Sequence, residues 1–178
     1  PHLGSWDHDA KAGPEEARPL SQWVALLRGI NVGGANKVSM TNLRRLAEGL
    51  GWTGVSSYIA SGNLIFEAGA EVMPDRLAAL LRAEMVREMG GDVPILVLTA
   101  DRLRAALADC PFEPEEGRHV HALFLWSEPV LRQDRLEDLR SPTEALALRH
   151  GTAWLPTSDG FRSPTLAARF RTFWSRTV

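Results

Sequence analysis

The sequence predicts an α+β protein made of two similar halves with largely antiparallel sheets. Three observations support this prediction. Short β-rich runs alternate with segments of helical periodicity, the same order of elements occurs twice, and Gly or Pro residues close most of the elements. The composition, 44% hydrophobic and 24% charged residues, is close to the globular average. The length of 178 residues suits one domain or two small halves that share a core.

The first 22 residues are predicted to form a flexible N-terminal extension. They contain four acidic residues and three prolines but few large apolar groups. Such a segment buries too little surface to offset the entropy of ordering. The first half is therefore assigned to residues 23–98, and a linking helix with the second half to residues 99–178.

The first half opens with a strand and a helix. Trp23–Arg28 is an apolar run of strand length, which the loop Gly29–Lys37 follows. Ser39 or Thr41 is suited to cap a helix that ends before Gly51. Its apolar positions recur at helical spacing: Leu43, Leu46, Ala47 and Leu50.

A hairpin, a second helix and a strand complete this half. The β-rich runs Val55–Ile59 and Leu64–Glu67 flank Ser61-Gly62-Asn63, whose Gly and Asn tolerate the positive φ of a tight turn. Pro74–Met89 has one apolar helical face and is followed by Gly90-Gly91. Pro94–Leu98 is then a buried strand, so that the predicted order is βαββαβ.

The second half repeats this order without a last strand. It begins with a helix that Thr99 caps and Pro111 stops, followed by a strand at His119–Trp126 and a weakly amphipathic helix at Pro129–Leu139. Two strands, Glu144–Leu148 and Thr152–Leu155, then lie on either side of the turn His150-Gly151. A last helix begins at Ser163-Pro164. Both halves thus read as ferredoxin-like units, the second of them βαββα.

This topology predicts a ligand site. In a split βαββαβ unit the third strand lies beside the first, so the loop after the first strand and the turn before the third emerge at one end of the sheet. We expect the Gly90-Gly91 segment there as well. The candidate ligand-binding residues are Arg28, Asn31, Gly33, Gly34, Asn36, Lys37, Ser61, Gly62 and Asn63. Amides, backbone N–H groups and two cations at a helix N-terminus suit a phosphate or a carboxylate.

The charge distribution favours a small anion over a polyanion. The net charge of −2 gives no global attraction for nucleic acid, yet Ser21–Ala47 contains no acidic residue and four basic ones. Single-stranded nucleic acid is therefore an alternative ligand that the net charge does not favour, and an enzyme with unidentified catalytic groups is a third reading. A structural explanation also stands: the glycines only allow the left-handed conformations of the loop, and Asn31 and Asn36 hold its backbone by hydrogen bonds. The loop has neither Walker nor G-x-G-x-x-G spacing.

Other functional classes have little support in the sequence. His119 and His121 alternate on a strand but supply only two metal ligands, and Cys110 is interpreted as a small apolar filler. A G-x-S-x-G motif does not occur, and no apolar run approaches the roughly 20 residues of a membrane span. We expect a cytoplasmic protein, and the sequence identifies no cofactor, reaction or oligomeric state.

Several segments together resemble a known family. They are similar to an uncharacterised bacterial family that is marked by the motifs ALLRGINVGG and YIxSGN. The matching segments are Leu26 to Gly34, Asn36-Lys37-Val38 with Met40, and Tyr58 to Phe66. The resemblance spans Trp23 to the C-terminus and implies a duplicated ferredoxin-like fold without an established activity. Cys110 stands where the family usually has Asn. The family would also continue past Val178 into a Thr-x-Arg-Asn-Trp segment and a final helix, which implies that the second half is truncated at its C-terminus.

Overall fold

A computed structural model of the protein describes residues 19–31, 37–58, 62–113, 120–124 and 147–156. These residues contain seven strands and three helices, which confirms the predicted α+β class. The chain divides into two compact units between Val97 and Leu98. The predicted helices at Pro129–Leu139 and after Ser163 lie outside the described residues.

Within the described residues, the first sheet has four strands. They are Leu20–Leu27 (β1), Thr53–Tyr58 (β2), Asn63–Gly69 (β3) and Ile95–Thr99 (β4), in the order β2-β3-β1-β4. Strand β3 is antiparallel to both β1 and β2. The third strand therefore lies beside the first, as the split βαββαβ order requires.

Strand β1 begins earlier than its apolar run. Leu20, Ser21 and Gln22 pair with Gly69, Ala68 and Glu67 of β3, although the sequence assigned these three residues to the extension 1–22. A ladder is formed by backbone groups, so polar side chains at its end do not prevent pairing. The N-terminal limit of the strand is therefore set by the length of β3.

Two helices pack on this sheet. Helix α1 is Met40–Gly49, and helix α2 is Pro74–Met89 with the bounds predicted from its Pro and Gly signals. Gly90 adopts a left-handed conformation at the end of α2. The apolar face of α1 meets the strands through Leu43 and Ala47, both completely buried. Trp52 stacks on Phe66 with ring centroids 4.0 Å apart, so that these aromatic residues belong to the core.

The second unit contains a capped helix and a small sheet. In helix α3 (Ala100–Ala108), Arg102 N donates to Thr99 Oγ1 over 3.1 Å, which confirms the predicted cap. Three described strands, Val120–Phe124 (β5), Ala147–Arg149 (β6) and Thr152–Pro156 (β7), form an antiparallel sheet in the order β5-β7-β6. His150 and Gly151 form the predicted turn between β6 and β7, and both have positive φ.

None of the described helices has the length and apolar character needed to cross a membrane.

Candidate functional site

The loop after β1 and the turn before β3 lie side by side, as the topology predicts. Leu27 N donates to Gly62 O over 3.1 Å, and Leu26 is the ladder partner of Asn63. A Cβ added to Gly62 would lie 2.5 Å from Ile30 Cδ1, so Ile30 covers this turn directly. The two segments therefore form one packed end of the sheet.

The segment before β4 reaches the same end of the sheet. Arg28 N donates to Pro94 O over 3.0 Å. Val93, one residue earlier, is buried in the core of the unit. The connection from Gly90 and Gly91 therefore leads to this end, in agreement with the prediction.

Asn31 closes the loop that follows β1. Its backbone has a φ of 55°, a left-handed conformation that Asn adopts more readily than most residues. Its Nδ2 donates to Val38 O and its Oδ1 accepts from Val38 N, each over 2.9 Å. Two hydrogen bonds to one residue fix both ends of the loop. This contact agrees with the structural explanation of Asn31, namely that its amide holds the loop together.

A groove of about 560 Å³ opens beside this closure. Four short segments line it: the two ends of the loop, the start of α1 and the end of α2. The lining residues are Asn31, Lys37, Val38, Ser39, Asn42 and Met89. Lys37, Ser39 and Asn42 are exposed, whereas Val38 is buried. The groove therefore has polar groups near the solvent and apolar groups deeper down.

The start of α1 makes one side of this groove electropositive. The first N–H groups of a helix have no acceptor within the helix. Ser39 occupies the N-cap position, but its side chain makes no capping hydrogen bond, and the first turn contains no acidic residue. Among the residues that the structure describes, no carboxylate forms an ion pair with Lys37. The helix terminus and the ammonium group thus add their positive potential.

Two further cations of the acid-free stretch, Arg44 and Arg45, hold α1 in place. Arg44 donates to Ser57 Oγ of β2 over 2.6 Å, and Arg45 pairs with Glu88 of α2 over 3.2 Å. Both arginines therefore connect α1 to neighbouring elements, and neither lines the groove.

The structure brings together only part of the predicted set. Asn31 and Lys37 line the groove. Arg28, Gly62 and Asn63 do not line the groove. Arg28 is half-buried, Gly62 is buried beneath Ile30, and Asn63 lies in β3. The remaining candidates, Gly33, Gly34, Asn36 and Ser61, lie outside the described residues.

Sequence reasoning missed Ser39, Asn42 and Met89 as groove residues. Ser39 and Asn42 did carry a signal, because they occupy the N-cap and the third position of α1, where backbone N–H groups point outward. Met89 carried none, since its place in the groove depends on how α2 packs beside α1. Helical periodicity alone assigns Met89 to the apolar face.

Other reactive groups do not form a centre in the described part of the chain. There, no three His, Cys, Asp or Glu side chains lie together as a metal site would require. His121 is half-buried in β5, and His119 lies outside the described residues. Cys110 Sγ donates to Phe112 O over 3.3 Å and is half-buried.

The fold and the groove together define an α+β protein whose βαββαβ unit has a polar groove at one end of its sheet. The chain belongs to the DUF1697 family of proteins of unknown function, whose model matches residues 20–154. This match confirms the resemblance inferred from the sequence.

A solved structure supports the same fold. The chain is similar to the conserved bacterial protein SP0830 from Streptococcus pneumoniae, with 27% identity and a TM-score of 0.59, and the similarity covers 79% of each chain. No curated protein matches the chain.

Proposed function

We propose that this protein is a binding module for a small anionic ligand, such as a nucleotide or a phosphorylated metabolite. The observation that carries the proposal is the groove at the start of α1, where Lys37 and the first helical N–H groups meet. The proposal concerns binding only and assigns no reaction.

The electrostatics of the groove favour an anion. A helix N-terminus with free N–H groups is a ready binding site for phosphate or carboxylate, and a nearby cation adds to the attraction. Lys37 is exposed, so its ammonium group is free to approach a ligand. Ser39 Oγ and the Asn42 amide provide further hydrogen-bonding groups on the same wall.

The size and the deeper wall of the groove favour an anion with an organic part. A volume of about 560 Å³ lies within the range of roughly 300–1,000 Å³ that is typical of small-molecule sites. Met89 and Val38 supply apolar surface, and a methionine side chain adapts to ligands of different shapes. A nucleotide or a phosphorylated metabolite has both components.

Asn31 has a positioning role in this proposal. Its two hydrogen bonds to Val38 hold Lys37, the preceding residue, at the edge of the groove. Loop ends that are fixed before binding lose less conformational entropy when the ligand arrives. Metabolites of this class occur in the cytoplasm, and we propose that location for the protein, which fractionation of expressing cells tests.

A thermal shift assay with ADP and with inorganic phosphate tests the proposal. At a ligand concentration about a hundredfold above Kd, we expect Tm to rise by about 5 °C or more. Lys37→Ala should reduce this rise, and Lys37→Arg should preserve most of it, because the positive charge is retained.

Arg76→Ala is the matched control. Arg76 is an exposed cation in the first turn of α2, about 20 Å along the helix from Met89. Its removal changes the net charge equally but leaves the groove intact. An equal reduction of the Tm rise in Lys37→Ala and in Arg76→Ala would indicate a general charge effect. The absence of any Tm rise with either anion would contradict the proposal.

A further inference from the structure

We infer that Tyr58 is a stacking platform for a base of single-stranded nucleic acid, at a surface separate from the groove. Tyr58 is 67% exposed at the end of β2. The other aromatic residues described in the same unit, Trp23, Trp52 and Phe66, are at most 6% exposed. The sole tyrosine of the chain therefore presents its ring to solvent, where an aromatic face is available to a planar ligand.

Strand register places Tyr58 on the face of the sheet opposite the core. Tyr58 pairs with Asn63 and Asn63 pairs with Leu26, so these three residues form one row across the strands. The core residues Leu64 and Ala25 form the next row and point to the other face, since side chains alternate along a strand. The row of Tyr58 thus combines an aromatic ring, an amide and an aliphatic side chain.

A hydrogen bond from helix α1 reaches the end of β2, which lies at the edge of the described sheet. Arg44 Nη1 donates to Ser57 Oγ over 2.6 Å, one residue before Tyr58 and on the opposite face. This contact ties the end of the edge strand to helix α1. Tyr58 is therefore presented from an anchored strand.

The charges around this end of the sheet suit a polyanion. Arg28 follows β1 two residues after Leu26, which lies about 10 Å from Tyr58 across two strands. Glu67 is the single carboxylate on the four described strands of this sheet, about 13 Å along β3 from Asn63. Arg28 therefore lies at the same end of the sheet as Tyr58, and the carboxylate lies towards the other end.

A single strand fits this surface better than a free nucleotide does. One stacked base on an open surface strengthens binding by only about 10- to 100-fold, which leaves a mononucleotide weakly bound. A strand adds a phosphate contact with a cation such as Arg28 to the same stacking. A duplex keeps its bases paired and offers no free face to Tyr58.

Fluorescence anisotropy with a labelled single-stranded RNA of about 12 nucleotides tests the inference. We expect Tyr58→Ala to weaken binding about tenfold and Tyr58→Phe to bind nearly as well as the wild type. A duplex of the same sequence should bind more weakly. Met73→Ala, which removes another exposed apolar side chain (69% exposed) at the other end of β3, should have no effect.

The outcomes separate this inference from the proposed groove. Tyr58→Ala should keep the thermal shift with ADP, and Lys37→Ala should lose it. The inference would be overturned if the wild type and Tyr58→Ala bound the RNA equally well. It would also be overturned if Met73→Ala lost as much RNA affinity as Tyr58→Ala. The absence of any ADP shift together with Tyr58-dependent RNA binding would reject the groove proposal and leave this one standing.

Discussion

The side chain of Asn31 binds both backbone groups of Val38, with each hydrogen bond 2.9 Å long. This contact joins the end of the first strand to the segment that leads into α1. It occurs where the chain takes a left-handed turn at Asn31 itself. One residue thus provides the backbone conformation of the loop and its closure.

We expect Asn31→Ala to destabilise the protein by about 1–3 kcal/mol, because it removes two hydrogen bonds and strains a positive φ. Asn31→Gly also removes the two hydrogen bonds, but glycine adopts a positive φ without strain. It should therefore lower the free energy of unfolding less than Asn31→Ala does. Urea denaturation of the two variants measures the difference. Equal stability of wild type and Asn31→Ala would show that the closure does not stabilise the fold.

Gly62 is constrained both by its conformation and by its neighbour. Its φ is +87°, and an added Cβ would lie 2.5 Å from Ile30 Cδ1. We therefore expect Gly62→Ala to destabilise the protein by about 1–3 kcal/mol in thermal or urea unfolding.

Gly49→Ala is the matched control for this prediction. A Cβ at Gly49 meets no atom within 4 Å, and Gly49 is in helix α1. Alanine should stabilise the helix there by about 0.5–1 kcal/mol. Opposite signs for the two glycines are the expected result, and a neutral Gly62→Ala would contradict the packing of Ile30 on the turn.

The two helix caps should differ in their contribution to stability. Thr99 Oγ1 accepts a hydrogen bond from Arg102 N, whereas the side chain of Ser39 makes no capping hydrogen bond. Thr99→Ala should therefore cost about 1 kcal/mol, and Ser39→Ala only a few tenths. Denaturation curves of the two variants and of Thr99→Ser test this. A larger loss of stability in Ser39→Ala than in Thr99→Ala would contradict the assignment of Thr99 as the stronger cap.

The pKa of the Asp92 carboxylate should lie below the ordinary value for Asp. Its hydrogen bonds from Arg82 lower its pKa below the ordinary value for Asp, and the favourable charge of Arg82 adds to this effect. A lowered pKa in the folded state stabilises the protein above the ordinary Asp value, and this stabilisation disappears as the pH falls through the lowered pKa.

An NMR titration of the Asp92 side chain measures this shift. In Arg82→Ala the pKa of Asp92 should return towards its ordinary value. Both side chains are more than half exposed, so we expect salt to weaken the effect. A pKa that is the same in the wild type and in Arg82→Ala would contradict the ion pair.

Local signals explain which elements could be predicted from the sequence. Pro74 and Gly90 mark the two ends of α2 because their backbone preferences act at single positions. Leu20 and Ser21 gave no such signal, because their strand pairing depends on β3, which lies more than 40 residues later. The meeting of Ile30 with Gly62 was predictable only through the topology of the whole unit.

The candidate site was predictable to a smaller extent. Lys37 and Asn31 stood out because of their residue types within a Gly-rich loop. The amide of Asn31 serves the loop itself, which a single sequence cannot distinguish from ligand binding. Met89 required knowledge of where the end of α2 lies relative to the start of α1.

In the proposed function, the groove at the start of α1 binds an anion. NMR spectra recorded during a titration with ADP test this binding at single residues, because the backbone amides of Met40, Thr41 and Asn42 are observed one by one. We predict saturable shifts of these three signals that Lys37→Ala weakens and Arg76→Ala preserves. Signals that stay unchanged while ADP reaches millimolar concentration, or that shift equally in both variants, would contradict the claim.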